Sequence, residues 1–447
     1  MVFQQVDLMV KGIEKAQELG AEYADAAQLY IKTTQVALRG SNIDVNRHED
    51  VVSVARVVYR GAWGVASRCT PWRSELIDEA HHVARASSAI AGGFRVSIPP
   101  IEPTRGYFRK VHEFPQLEDV IALIQYVSDR IREKLSSRDV ITEVVMVFTE
   151  VDKVYANSDT TLVHEGRSII EVLISAVIGN VSAAEYTALS IPFSEIKSRL
   201  EPMIDTICER LRAMSTAKLL NPLVRGSKFE VILSPTVAGA LIHEVAHYLE
   251  ADRALIQRRI PSIGVKVGCE ELTVIDDPTI EWCAGSYFID DEGVKARSKV
   301  LIENGVLTNL LHTRWSAHVL GTHPTGNARG LFTVPKAMQS NLVVKPGDWR
   351  FSEMIEETKR GFYVDGLIRA ELRPDDLIVL WPEVGWFIER GEVKSAAKVD
   401  HIAIQASKVL HLIEGIGRRL GYRASIEHGL YVSEVVPHLK VRDCYVF

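Results

Sequence analysis

Residues 228–249, KFEVILSPTVAGALIHEVAHYL, constrain this chain more than any other stretch. KFEVILS predicts a strand over 228–234, Pro235 a helix start, and the run that follows a helix reaching to about Arg259. Ala240, Leu241, Ile242, Val245, Ala246 and Leu249 flank His243 and His247, so the helix is expected to be buried together with its imidazoles. A buried polar ring without a partner costs free energy, so the fold has to supply these two histidines with something to bind.

His243-Glu244-Val245-Ala246-His247 is an HExxH motif. A helix turns about 100° per residue, so His243 and His247 stand one turn apart on one face, where both imidazoles can bind one metal ion. Glu244 points aside, placed to take a proton from a water that the metal acidifies, which makes it the expected catalytic general base of a metal-dependent hydrolase. Glu250 shares the histidine face but lies a turn beyond the metal, and is expected to hydrogen-bond an imidazole instead of ligating. Asp252 is read as doing likewise or as simply solvated.

The rest of the chain predicts an α+β protein of two domains, 1–222 and 223–447. A helix over 7–19 is followed from Tyr23 by β-branched, alternating stretches, a helix over 72–91 ending before Gly92-Gly93, an extended Pro-rich connection over 96–103, a helix over 116–135 and strands over 139–157. Helical spacing returns over 193–220, a candidate linker, and closely spaced Gly and Pro turns mark the second half as β-rich. The 447 residues carry 52 basic and 58 acidic groups, a net charge of −6 that gives no general attraction to phosphate backbones, so nucleic acid is not an expected partner. No apolar run reaches the length of a membrane span, and Asp7 stands where a signal peptide would be basic, so neither membrane nor export is expected. Five cysteines without a CxxC pair fit a reducing cytoplasm.

The motifs are more specific than HExxH alone. LIHEVAHYLEAD, the run from VIDDPTIEWCAG through DDEG to LIENG, the PTGNARG turn and SNLVVKPGD together resemble the TldD/PmbA family of metallopeptidases, also labelled modulators of DNA gyrase. GAEYADAAQLY and RGAWGVAS extend a weaker similarity into the first half. The resemblance implies a zinc (Zn²⁺) peptidase site in the second half, cleavage of unfolded peptides, and assembly as a homodimer or with a TldE/PmbA-type relative that lacks the zinc motif. The family places three residues between Glu and the second His where this chain has two, and a cysteine as third zinc ligand where this chain reads RASIEHGLYVSEVVPHLKV. A catalytic zinc needs three protein ligands, so His428 is the expected replacement, followed by Glu427 and then Cys444. Asn327, in the TGN turn, and Asn341 are expected to line a groove where a peptide adds as a strand to a sheet edge. The alternatives are a peptide-binding subunit without catalysis and a metal hydrolase acting on a non-peptide substrate.

Overall fold

A computed structural model describes residues 2–90, 95–137, 139–222, 224–330 and 332–447. The first half is a seven-stranded sheet with four helices on it. Helices α1 (Val2–Glu18), α2 (Glu75–Ser88), α3 (Leu117–Leu135) and α4 (Phe193–Thr216) accompany strands β1 (Tyr23–Arg39), β2 (Asn42–Tyr59), β3 (Ala62–Arg68), β4 (Arg105–Lys110), β5 (Ile141–Asn157), β6 (Leu162–Ile178) and β7 (Val181–Leu189). The order is β3-β2-β1-β5-β6-β4, with β7 also on β6. The Ala91, Gly92 and Gly93 at the expected end of the second helix lie outside the described residues.

Strands of 17 residues are long enough to carry two cores. Side chains alternate faces, so Ala24, Ala26, Val36 and Leu38 of β1 share one face. At one end that face buries Met9, Ile13, Trp72, Leu76 and Ile77 of and beside α1 and α2. At the other it buries Val120, Ile124, Ile196 and Ile204 of α3 and α4. The expected linker helix α4 is thus part of the first core. On the opposite face Ala27, Leu29 and Tyr155 meet Ile289 from the second half.

The second half is built on a 14-stranded sheet, which also takes in Lys218–Leu219 and wraps around helix α5 (Pro235–Ala246), with a separate two-stranded pair Ala328–Arg329 and Lys336–Ala337. Strand Leu430–Val446 is its hub, pairing with Ser227–Leu233, Asn341–Val344, Ile402–Gln405 and the hairpin partner Ile413–Glu427. Nine of the twelve α5 residues are buried, as required of a helix that is apolar all round. Ser234 caps the helix by accepting from Val237 N, and Pro235 occupies a first-turn position that needs no N–H.

The expected helix to Arg259 does not run through. A 3-10 turn over His247–Leu249 follows α5, and Glu250 is extended (φ −77°, ψ 104°) before a short helix over Ala251–Ile256. The break has a tertiary cause: Ala251 N donates to Leu311 O and Leu311 N to Leu249 O, a pairing a continuous helix would forbid.

Candidate metal centre

His243 and His247 face each other at the end of α5 with ring centroids 5.3 Å apart. Each turns its Nδ1 to a carboxylate: His243 to Glu434 Oε1 at 2.7 Å, and His247 to Glu250 Oε1 at 2.7 Å. That leaves both Nε2 atoms as potential ligands, the arrangement that fixes tautomer and ring angle in metal-binding histidines. The helix break is what lets the Glu250 carboxylate fold back onto His247.

Glu434 is fully buried on strand Leu430–Val446, where it also accepts from Ser425 Oγ at 3.0 Å and pairs with Arg423 at 2.9 Å. Arg423, Ser425 and Glu427 are alternate residues of strand Ile413–Glu427, so all three point toward the end of α5. The hairpin approaches this closely because residue 239 is glycine: a Cβ there would sit 3.1 Å from Glu434 Cβ. Burial pushes the His243 imidazolium toward deprotonation, but its hydrogen bonds to Glu427 and Glu434 and the Glu434 charge outweigh that and raise it to about 9. The His243 hydrogen bond in turn holds Glu427 below the usual carboxylate range.

Among the described residues, His243, His247 and Glu427 each offer one ligand atom within 4.8 Å of the others. Two imidazoles and one carboxylate form a recurrent catalytic zinc set, and the carboxylate behind each ring supplies the usual support. One further observation fits a cation here. Gln339, fully buried, brings its amide nitrogen to 3.1 Å from His243 Nε2 while its Oε1 has no hydrogen-bond partner.

Four sequence expectations meet a different geometry. His428 is not brought into the donor group: it forms, with Gly429, the two-residue turn after the last ladder pair Glu427↔Leu430, and both residues have positive φ (50° and 79°). Such a turn holds its side chains away from the donor group, and His428, 76% exposed and 3.2 Å from Glu427, lines the groove instead. Asn327 and Asn341 do not line the groove. Asn327 is fully buried, donating to Asp276 Oδ2 and Met338 O and accepting from Lys299 Nζ, and Asn341 donates to Asp277 O and Ser286 Oγ. Cys444 lies in the apolar core, ten residues along the strand from Glu434. Asp252 is neither solvated nor next to an imidazole; it accepts from Thr313 Oγ1 and Ala337 N and anchors two loops. The signals for the missed partners were the period-2 spacing of Arg423, Ser425 and Glu427 and the HG turn after them.

The centre opens on a groove of about 1070 Å³. Glu244, His247 and Glu427 line it together with strand residues Ala370 to Leu372, and Trp63 and Val96 bring in the first half. Glu244 Oε2 accepts from Leu372 N at 2.8 Å, which fixes one carboxylate oxygen and leaves the other for a proton.

The profile of the PmbA/TldA metallopeptidase C-terminal domain matches residues 226–446, the sheet and helix that build this centre. Along nearly the whole chain, a protein named a metalloprotease from Methanothermobacter thermautotrophicus is 28% identical over 441 residues, 95% of each chain. The chain belongs to the PmbA/TldD family. Another PmbA/TldD relative, named a zinc metalloprotease TldD homolog, from Saccharolobus solfataricus, is 26% identical over 98% of this chain and 99% of its own length. The fold matches that of TldE from Thermococcus kodakarensis with a TM-score of 0.76 at 18% identity, covering 98% of this chain and 99% of that one. Both halves therefore follow the PmbA/TldD architecture, and no helix among the described residues is long and apolar enough to cross a membrane.

Proposed function

We propose that this chain is a zinc-dependent peptidase of unstructured peptides, with Glu244 as its general base. The observation that carries the reading is the convergence of His243, His247 and Glu427, in a groove that also holds Glu244. The names of its relatives, one of them a zinc metalloprotease, support the metal and the reaction class.

A zinc ion held by His243, His247 and Glu427 would supply Lewis acidity to the scissile carbonyl and acidify a water. Glu434 and Glu250 hold the two rings in the tautomer that presents Nε2. Glu244, with one oxygen fixed by Leu372 N–H, takes the proton of the attacking water on the other and delivers it to the leaving amine.

The substrate is read as an extended strand. Strand Arg369–Leu372 pairs with Leu377–Trp381 along one side only among the described strands. Leu372 N points to Glu244, so by alternation Ala370 presents its N–H and C=O on the same outer edge, beside the groove. Main-chain pairing there gives affinity with little demand on side chains, which suits unfolded substrates. The TldE-like fold supports assembly with a second copy or a TldE-type relative, and five cysteines without a CxxC pair support a reducing, cytoplasmic setting.

The test is Glu244→Gln in zinc-loaded protein, digesting an unfolded protein with mass spectrometric readout. Cleavage is expected to fall by about 10²–10⁴-fold with zinc still bound. Full cleavage by that variant would sink the assignment of Glu244, and absence of zinc from wild-type protein purified without chelator would sink the centre itself.

A further inference from the structure

Gln339 lies beside the His243, His247 and Glu427 donor group without belonging to it, and its position is tightly fixed. Around it Ala337 N is held by Asp252, Met338 N by Asn327 O, Met338 O by Asn327 Nδ2, Gln339 O by Arg329 Nη1 at 2.7 Å and Ser340 N by Asp276 Oδ1. A backbone pinned at four successive residues leaves the side chain only its own rotations. None of the residue is exposed, its Nε2 is 3.1 Å from His243 Nε2, and its Oε1 is buried without a partner. A buried amide oxygen that makes no hydrogen bond is uncommon and asks for a donor or a cation.

We propose that Gln339 is a fourth protein contact of the metal centre, presenting its side-chain oxygen to the cation. The inference rests on the reading of His243, His247 and Glu427 as that centre. Two donor atoms that share one ion with bonds of about 2.0–2.2 Å lie roughly 3 Å apart, and the amide end of Gln339 is at that separation from His243 Nε2. With the His243 ring neutral and its Nδ1 proton on Glu434, as a metal ligand requires, the Gln339 NH₂ faces the Nε2 lone pair. A cation that takes this lone pair removes the acceptor and sets a positive charge in front of two N–H bonds. A half-turn about the last side-chain bond exchanges nitrogen for oxygen at almost no steric cost, since the two ends of an amide have nearly the same size. The exchange satisfies the orphaned oxygen and removes the repulsion in one motion. The centre then has two nitrogen and two protein oxygen donors, a harder set than one containing a thiolate, and accepts Mn²⁺ and Co²⁺ more readily.

The experiment is competition for Zn²⁺ between a chromophoric chelator and full-length wild type, Gln339→Met and Gln339→Glu, with thermal melts of the metal-free proteins to confirm folding. Gln339→Met keeps the length and loses the donor, and is expected to bind Zn²⁺ at least tenfold more weakly. Gln339→Glu keeps a donor oxygen and is expected to bind at least as tightly as wild type. The Co²⁺-substituted wild type is expected to show the weak visible bands of a centre with more than four ligands, and Gln339→Met the stronger bands of a four-coordinate one. Equal or tighter Zn²⁺ binding by folded Gln339→Met overturns the proposal while leaving the three-ligand centre intact. Failure of wild type to bind Zn²⁺ overturns both.

Discussion

Glu434→Gln separates metal support from protein stability. The substitution keeps the shape of the side chain at the bottom of the hairpin but removes the charge that His243 Nδ1 meets at 2.7 Å and that Arg423 meets at 2.9 Å. Loss of the carboxylate behind a ligating imidazole weakens a metal site about 10–100-fold, or about 1.4–2.7 kcal/mol. Leaving Arg423, 18% exposed, without its partner costs about 3 kcal/mol of folding free energy, the low end for a broken buried pair. The two costs divide in a double-mutant cycle. Arg423→Gln/Glu434→Gln is expected to recover most of the urea stability lost by Glu434→Gln, because no unpaired guanidinium remains, yet to keep the weakened zinc affinity. Equilibrium urea unfolding and chelator competition on the four proteins measure both quantities. A folded Glu434→Gln that binds zinc with wild-type affinity would refute the view that this buried carboxylate sets the ring of His243.

Other expectations follow from the same geometry. Glu427→Ala is expected to lose zinc by at least tenfold and His428→Ala to keep it, read by metal content after dialysis against a weak chelator. Glu185, buried beside Arg210, Asp365 and Glu383 where the two halves meet, is pushed up to about 7 by burial against the pull of Arg210. Its folded value lies above the usual 4.5, so its contribution is fully present below about pH 4.5 and is lost as pH rises through 7, on the order of 3 kcal/mol. The urea midpoint of wild type is expected to fall more between pH 5 and 8 than that of Glu185→Gln, and parallel profiles would exclude Glu185 as the cause. Asn327→Ala removes one hydrogen bond each from Lys299 and Asp276, which stay ion-paired at 2.8 Å, and is expected to cost about 1–3 kcal/mol in unfolding experiments without altering KM for peptides, whereas a raised KM at unchanged stability would return Asn327 to the substrate groove.

Where local pattern and tertiary environment agreed, the sequence was readable. The helices at 7–19 and 116–135 and the strand at 228–234 needed only periodicity, and HExxH on an apolar helix located two donors without any knowledge of the fold. Strands β6 and β7 escaped that reading because β6 also buries Val163, Glu165 and Ile169 on the face away from the helices, so no clean alternation remains. The end of α5 was misjudged for a different reason. Residues 247–259 have helical composition, and only the pairing with Leu311, sixty residues away, breaks them at Glu250. The proposed third donor was harder still, because His428 and Glu427 are adjacent and either side chain can ligate zinc. Two positive φ values set the turn that leaves His428 outside the donor group while Glu427 reaches His243 and His247, and those belong to a hairpin whose register a sequence does not display.

The hub strand Leu430–Val446 also governs how the second half is assembled. Its pairing Leu439↔Leu233 joins positions 206 residues apart, whereas the first sheet opens with hairpins closed over two residues, such as Arg39↔Asn42. Loop closure over such a distance has to come before the contacts that reward it, so the second half folds late and waits on one strand. Until that strand arrives, the apolar helix α5 has no cover and Glu427 and Glu434 are absent from its end. A half-assembled chain is therefore both sticky and unable to hold the cation. On the proposed reading of the centre, competence for metal comes only with completion of the fold, and proteolytic activity is withheld from every intermediate that precedes it.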